Sequence, residues 1–115
     1  MNWRMYIGFL SGERIGMQYL DWLENWYSSH CNGEWEECYG IKIQTLDNPG
    51  WFVEIELSET PLATKSFTPI NIENSEEDWV TCKVENERFY GFGDPNKLSY
   101  IISVFKEWNE DSDSQ

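Results

Sequence analysis

The residues of this chain that could perform chemistry include one histidine and two cysteines that lie close together. His30 and Cys31 are adjacent, and Cys38 follows in the same stretch. These residue types bind zinc, but the spacing contains no C-x-x-C pair, and the chain holds a single histidine. A fourth ligand would have to come from a distant segment. We therefore predict no metal ion and no cofactor.

Two glutamates offer a second kind of chemistry. Glu54 and Glu56 lie two residues apart on one face of a predicted strand, and paired carboxylates can act as general acid and base. No pocket is evident around them, so a solvated strand face is the default interpretation. Cys38 is a possible nucleophile, although a cysteine on or beside a strand is more often a buried small hydrophobe. We predict that the chain is not an enzyme, and a small enzyme using Glu54 and Glu56 or Cys38 remains the alternative.

Three tryptophans adjoin polar loops. They are Trp35 in the run Glu34-Trp35-Glu36-Glu37, Trp51 after Asp47-Asn48-Pro49-Gly50, and Trp79 after Glu76-Glu77-Asp78. An aromatic anchor ringed by carboxylates suits a basic protein partner, whereas an inward-packed ring would leave the acids only to keep the loop solvated. The inward alternative is favoured for Trp51, which is in phase with core-facing residues, and both alternatives stay open for Trp35.

The predicted partner-binding surface combines these loops with the two glutamates of the strand face. Its residues are Glu34, Trp35, Glu36, Glu37, Asp47, Asn48, Glu54, Glu56, Glu76, Glu77, Asp78 and Trp79.

The charge of the chain limits the kind of partner. Among 115 residues, 21 Asp and Glu against 8 Lys and Arg give a formal net charge of −13. Nucleic acids and anionic membranes would repel such a chain, so we predict that it binds neither and that its partner is a basic or neutral protein. Three cysteines at irregular spacings do not form a disulfide framework, which favours a cytoplasmic location.

The elements that must position these residues follow from hydrophobic periodicity. A helix is predicted over residues 17–30, ending near Gly33. Alternation over 39–45 and 51–57, with turn residues at 47–50 between them, predicts an antiparallel hairpin.

The second half of the chain contains further strands and a helix. Strands are predicted around 67–72, 80–84 and 88–92, with a charged turn between the first two. Asp94-Pro95 predicts a helix start, and the apolar stripe over 98–108 predicts the helix itself.

The predicted fold class is α+β: an N-terminal helix, a four- to five-stranded and mostly meandering antiparallel sheet, and a C-terminal helix, with both helices packed on one sheet face. The open face is predicted to carry Lys42, Gln44, Phe52, Glu54, Glu56, Thr81, Lys83 and Glu85. Residues 17–109 form the single predicted domain, preceded by an extension (1–16) and followed by a mobile acidic tail (110–115). Met17 is a candidate for the natural initiator.

Several strings of the sequence carry a family resemblance. They are Trp22-Leu23-Glu24-Asn25-Trp26-Tyr27, Cys31-Asn32-Gly33-Glu34-Trp35-Glu36, Tyr39-Gly40-Ile41-Lys42-Ile43, Thr45-Leu46-Asp47-Asn48-Pro49-Gly50-Trp51, Asp78-Trp79 with Cys82, Gly91-Phe92-Gly93 with Pro95-Asn96, and 98–108. In this order they resemble the bacterial immunity protein 53 family over about residues 18–109. The string from Thr45 to Trp51 is the most specific. Asn32 and Glu34 stand where the family pattern has Asp, and Asp94 where it often has Gly.

The resemblance implies an antidote encoded beside a polymorphic toxin. Such a protein binds and neutralises a cognate toxin domain in the producing cell, and nucleases are one class of such toxins. The resemblance supplies no catalytic residues. A generic acidic adaptor remains a further alternative, and the oligomeric state stays open with a monomer as the default.

Overall fold

A computed structural model describes residues 11–111 of the chain, with side chains described from residue 18 onwards. The elements, in order, are helix α1 (Ser11–His30), short helix α2 (Trp35–Cys38), strands β1 (Ile41–Leu46) and β2 (Gly50–Glu56), a 3₁₀ helix (Pro61–Thr64), strands β3 (Ile70–Ser75), β4 (Asp78–Glu85) and β5 (Arg88–Gly93), and helix α3 (Leu98–Glu110). The predicted α+β fold class is confirmed.

The five strands form one antiparallel sheet in the order β1-β2-β5-β4-β3. Two units make up the sheet, the hairpin β1–β2 and the meander β3–β4–β5, and they join where β2 pairs with β5. The connection from β2 to β3 therefore crosses to the far edge of the sheet. As a result β1 and β3 are the two edge strands, and β5 lies at the centre.

Both helices pack on one face of the sheet, as predicted. Ile101 and Phe105 of α3 are fully buried against β4 and β5. Helix α1 packs mainly on α3, and the rings of Trp22 and Trp26 meet the ring of Phe105 edge-on at 5.8 and 5.1 Å. Large aromatic side chains thus join the two helices. Because both helices lie on the same face, the other face of the sheet has no covering element among the described residues.

The close approach of α3 to the sheet depends on Gly91 at the centre of β5. A Cβ atom built at Gly91 would collide with Cγ2 of Ile101. Glycine is therefore required here for packing rather than for backbone conformation.

The bounds of several elements differ from those that periodicity predicts. Helix α1 begins at Ser11 rather than at residue 17, so the predicted boundary between 16 and 17 lies inside a helix. The predicted start of α3 at Asp94-Pro95 is wrong, because α3 begins at Leu98. Asp94 is instead used in tertiary hydrogen bonds. Residues 1–10 of the predicted extension and 112–115 of the predicted tail lie outside the described residues.

No helix in the described part of the chain is both long enough and apolar enough to span a membrane.

Candidate functional site

Two turns that are distant in sequence meet at one end of the sheet. Strands β2 and β4 both pair antiparallel with β5, so both begin at the same end, and the turns that precede them lie there together. These turns line a cleft of about 660 Å³, which we call the acidic cleft. It is lined by Asn48, Pro49, Glu73, Ser75, Glu76, Glu77 and Trp79. The structure thus brings together two of the three predicted loops.

Side-chain hydrogen bonds hold the turn between β3 and β4. The backbone N–H of Glu77 donates to Oγ of Ser75 at 3.1 Å, and the Asn74 amide donates to the Asp78 carboxylate at 3.1 Å. The pairing register shifts between Glu73 and Ser75, which ends the regular ladder at this point. The turn is shorter than predicted, because the strands extend to Ser75 and Asp78.

Three glutamates of the acidic cleft have no oppositely charged partner among the described side chains. Glu73, Glu76 and Glu77 are exposed, and within residues 18–111 no cation forms an ion pair with any of them. Like charges held this close together produce a negative potential that attracts basic groups. Trp79, which is partly buried, adds an aromatic surface to the same cleft.

The acids behind the cleft, in contrast, share a cation. Lys97 donates to Asp94 at 2.6 Å and to Asp78 at 2.7 Å. The Lys97 hydrogen bond is the main reason that the pKa of Asp94 is lowered to about 2, and backbone N–H groups of Asn96 and Trp79 act in the same direction. The same lysine, together with Asn74, lowers the pKa of Asp78. Lys97 is therefore committed to these two carboxylates.

An aromatic cluster lies on the open face of the sheet. Phe52, Tyr90 and Phe92 are partly buried, and the Phe52 ring lies 5.1 Å from that of Phe92 and 6.3 Å from that of Tyr90. Phe52 was among the residues predicted for this face, whereas Tyr90 and Phe92 were not. The alternation of side chains along β5 would have predicted both positions. Because Phe89 faces the core, Tyr90 and Phe92 must face the opposite side of the sheet.

The predicted open face is confirmed by the register of the strands. Two cross-strand rows share it: Lys42, Glu54, Tyr90 and Lys83 form one row, and Gln44, Phe52, Phe92 and Thr81 form the next.

Glu54 and Glu56 lie on this face, and both form ion pairs with Arg88. Arg88 lies 3.4 Å from the Glu54 carboxylate and 3.7 Å from that of Glu56, and the buried Arg88 Nε makes no hydrogen bond to any described residue. The two glutamates border a depression of about 180 Å³ together with Gly40, Ile41 and Lys42. A single positive charge thus offsets part of the charge of the two carboxylates.

The Trp35 loop lies at the opposite end of the sheet from the acidic cleft, because α2 leads into the start of β1. Trp35 is only 3% exposed, and its indole N–H donates to the carbonyl of Ser58 at 2.9 Å. Of the two alternatives left open for Trp35, the structure shows the inward-packed ring. Trp51 also uses its indole N–H internally, donating to the carbonyl of Pro95 at 2.9 Å.

The acidic residues around Trp35 differ in their contacts. The Glu36 carboxylate accepts hydrogen bonds from the backbone N–H groups of Asn32 and Gly33, each at 2.9 Å, and so fixes the start of α2. Glu34 and Glu37 remain exposed.

The cysteines and the histidine lie in different environments. Cys82 is fully buried, and burial raises the pKa of its thiol to about 12, so it stays protonated. Cys38 is exposed at the end of α2, which corrects the expectation that it is buried. His30 packs against the ring of Trp26 at 4.4 Å. Among the described residues, no group of three or more His, Cys, Asp or Glu side chains could hold a metal ion.

The fold and this surface together define a class: a small α+β protein with a negatively charged cleft and a sheet face that no described element covers. The family model of immunity protein 53 matches residues 20–110. The chain therefore belongs to the immunity protein 53 family, in agreement with the resemblance of its sequence strings, and it has an immunity function in that general sense. No curated protein and no solved structure matches the chain.

Proposed function

We propose that this chain neutralises a cognate polymorphic toxin by binding a basic surface of the toxin at the acidic cleft. The observation that carries the proposal is the convergence of Glu73, Glu76 and Glu77 beside Trp79, with no cation of the described side chains paired to any of the three. Unpaired carboxylates attract and orient a basic partner, and an aromatic side chain supplies apolar contact once the partner has docked.

The neighbouring open face supports a larger contact area. Trp79 lies two residues from Thr81 in β4, and Thr81 is paired with Phe92 of the aromatic cluster. A partner seated in the acidic cleft would thus reach Phe92 and Phe52, whose partly exposed rings extend the apolar contact. Partner contacts of about 800 Å² on each protein are typical of specific complexes, and a cleft joined to a sheet face offers room for one.

Nucleases are one class of toxin that would suit this surface. An enzyme that binds nucleic acid presents Lys and Arg side chains to phosphate groups. Carboxylates of the acidic cleft would occupy those side chains and exclude the substrate. The expected setting is the cytoplasm of the producing cell, where such a toxin would act.

The test uses the toxin domain encoded beside the gene for this chain. We expect the wild-type chain to protect cells that produce the toxin. The double variant Glu76→Lys with Glu77→Lys should bind the toxin about tenfold or more weakly and protect poorly. The double variant Glu34→Lys with Glu37→Lys is the matched control, because it changes the charge equally at the opposite end of the sheet. Loss of binding in the control with retention in the cleft variant would overturn the proposed site.

A further inference from the structure

A second exposed feature lies at the edge strand β1, away from the acidic cleft. A groove of about 440 Å³ runs between α1 and β1, and its apolar lining consists of Leu20, Leu23, Tyr27, Ile41 and Ile43. Leu20, Tyr27 and Ile43 are 48%, 37% and 39% exposed, and they are three of the four exposed large hydrophobic side chains among the described residues. A concentration of exposed apolar surface of this kind marks an interaction site.

The outer backbone edge of β1, which borders the same groove, pairs with no described strand. The N–H of Glu56 donates to the carbonyl of Gly40 at 3.0 Å, which makes these two residues a hydrogen-bonded pair. Because such pairs alternate in an antiparallel ladder, Lys42 and Gln44 direct their backbone groups towards β2. Ile41, Ile43 and Thr45 direct theirs outwards, and β1 pairs with no strand other than β2 in the described part of the chain.

The charge of β1 also differs from that of the other edge of the sheet. Strand β1 contains one lysine and no acidic residue, whereas the other edge strand, β3, contains Glu73 and a register shift. A register shift opposes pairing between molecules, and so does a charge on the edge, most of all an acidic one in a chain that is already strongly negative. In a chain with a net charge of −13, β1 is therefore the edge at which two copies meet with the least repulsion.

We propose that two copies of the chain pair through their β1 strands in antiparallel orientation, with Ile43 opposite Ile43 of the second copy. This register matches the outward backbone groups, because Ile41 then lies opposite Thr45 of the second copy and all of these residues direct hydrogen-bonding groups to the edge. It also places Lys42 opposite Gln44 of the second copy, so that no like charges face each other. The inference does not depend on the proposed function.

The pairing explains the location of the exposed hydrophobic residues. Ile41 and Ile43 share the helix-covered face of the sheet with Val53 and Ile55, since these residues are cross-strand partners. In the proposed register, Ile43 of the second copy lies on the same face beside the groove. It therefore covers apolar surface that the described residues of a single chain leave exposed.

The first test measures the mass of the full-length chain by sedimentation over a wide range of concentration. We expect a concentration-dependent dimer. Ile43→Glu places two carboxylates at the two-fold axis and should weaken dimerisation about tenfold or more, since like charges directly opposite each other are destabilising. Gln44→Glu should strengthen it, because the new carboxylate faces Lys42 of the second copy. Thr68→Glu, an exposed position outside the strand, adds the same charge as a control and should have no effect.

Hydrogen exchange at the amides of Ile43 and Thr45 distinguishes a second copy from the other partners that could pair with β1. Protection that increases with concentration supports the dimer. A monomer in which these amides are protected at every concentration would mean that another segment, such as residues 1–10, covers β1, and it would overturn the proposal. Free exchange at every concentration, or protection only when the toxin is present, would overturn it as well.

Discussion

The buried carboxylate of Asp94 accepts a hydrogen bond from the backbone N–H of Trp79 at 2.9 Å. This bond joins the segment after β5 to the start of β4, directly beside the acidic cleft. The same carboxylate accepts from the backbone N–H of Asn96 at 2.8 Å and from Lys97 at 2.6 Å. One side chain thus fixes the approach to α3 and the backbone of a cleft residue together.

Replacement of Asp94 by Asn should lower the melting temperature by several degrees near neutral pH. The variant loses the charged partner of Lys97 and places an amide N–H₂ group where only acceptors fit. Thermal unfolding monitored by circular dichroism measures the change. Asp47→Asn is the control, because Asp47 is exposed in the turn between β1 and β2 and should alter the melting temperature little.

The acid limb of the stability profile should depend on the same carboxylate. The pKa of Asp94 is lowered to about 2 from the ordinary 3.8, so its ionised form stabilises the folded state. The stabilisation by ionised Asp94 is fully present at pH values above the ordinary pKa of 3.8, and it is lost as the pH falls through about 2. We expect the wild-type chain to lose more stability over this window than Asp94→Asn. Parallel profiles for the two proteins would contradict this assignment.

The contact between Gly91 and Ile101 should be a strong determinant of stability. Gly91→Ala adds a Cβ that collides with Cγ2 of Ile101, and overpacking of this kind costs about 1–3 kcal/mol in the free energy of unfolding. Ile101→Ala removes the colliding atom, so the cost of Gly91→Ala should be smaller in that background. Denaturant unfolding of the four proteins measures the coupling, and additive effects would show that α3 can shift away from the sheet.

His30 should make stability fall between neutral and mildly acidic pH. Burial lowers the pKa of His30 below the ordinary 6.5, so the folded state favours the neutral ring. The unfolded state therefore binds more protons as the pH falls through this range, and the folded state is destabilised. His30→Gln should remove this dependence. The chain has no other histidine, so the difference between the two proteins reports on His30 alone.

The elements predicted from the sequence are those that local patterns determine. The alternation on either side of Asp47-Asn48-Pro49-Gly50 identifies the first hairpin, and the stripe from Leu98 to Trp108 identifies α3. Asn86 and Glu87 form the predicted turn between β4 and β5, with φ values of 54° and 59°. Two consecutive residues in this conformation match the twist of a tight hairpin, which is also a local property.

The candidate site was only partly predictable, because it depends on contacts between distant segments. The acidic cleft exists because β2 and β4 both flank β5, an order that no local pattern contains. The burial of Trp35 depends on Ser58 and on the rings of α1, which the loop sequence cannot indicate. Asp94 resembles a helix cap in the sequence, but its bonds to Trp79 and Lys97 place it before α3 rather than at its start.

Association with the toxin and dissociation from it should depend on different parts of the acidic cleft. Long-range attraction by Glu73, Glu76 and Glu77 acts before contact, so added salt should slow association more than it speeds dissociation. Glu76→Lys with Glu77→Lys should reduce this salt dependence.

Trp79→Ala removes apolar contact that forms only after docking and should therefore speed dissociation, whereas Trp79→Phe keeps a ring and should change the rate less. The backbone N–H of Trp79 that bonds to Asp94 is retained in both variants. Rates measured by surface plasmon resonance at several salt concentrations test both parts, and an association rate that does not change with salt would contradict electrostatic steering by the cleft.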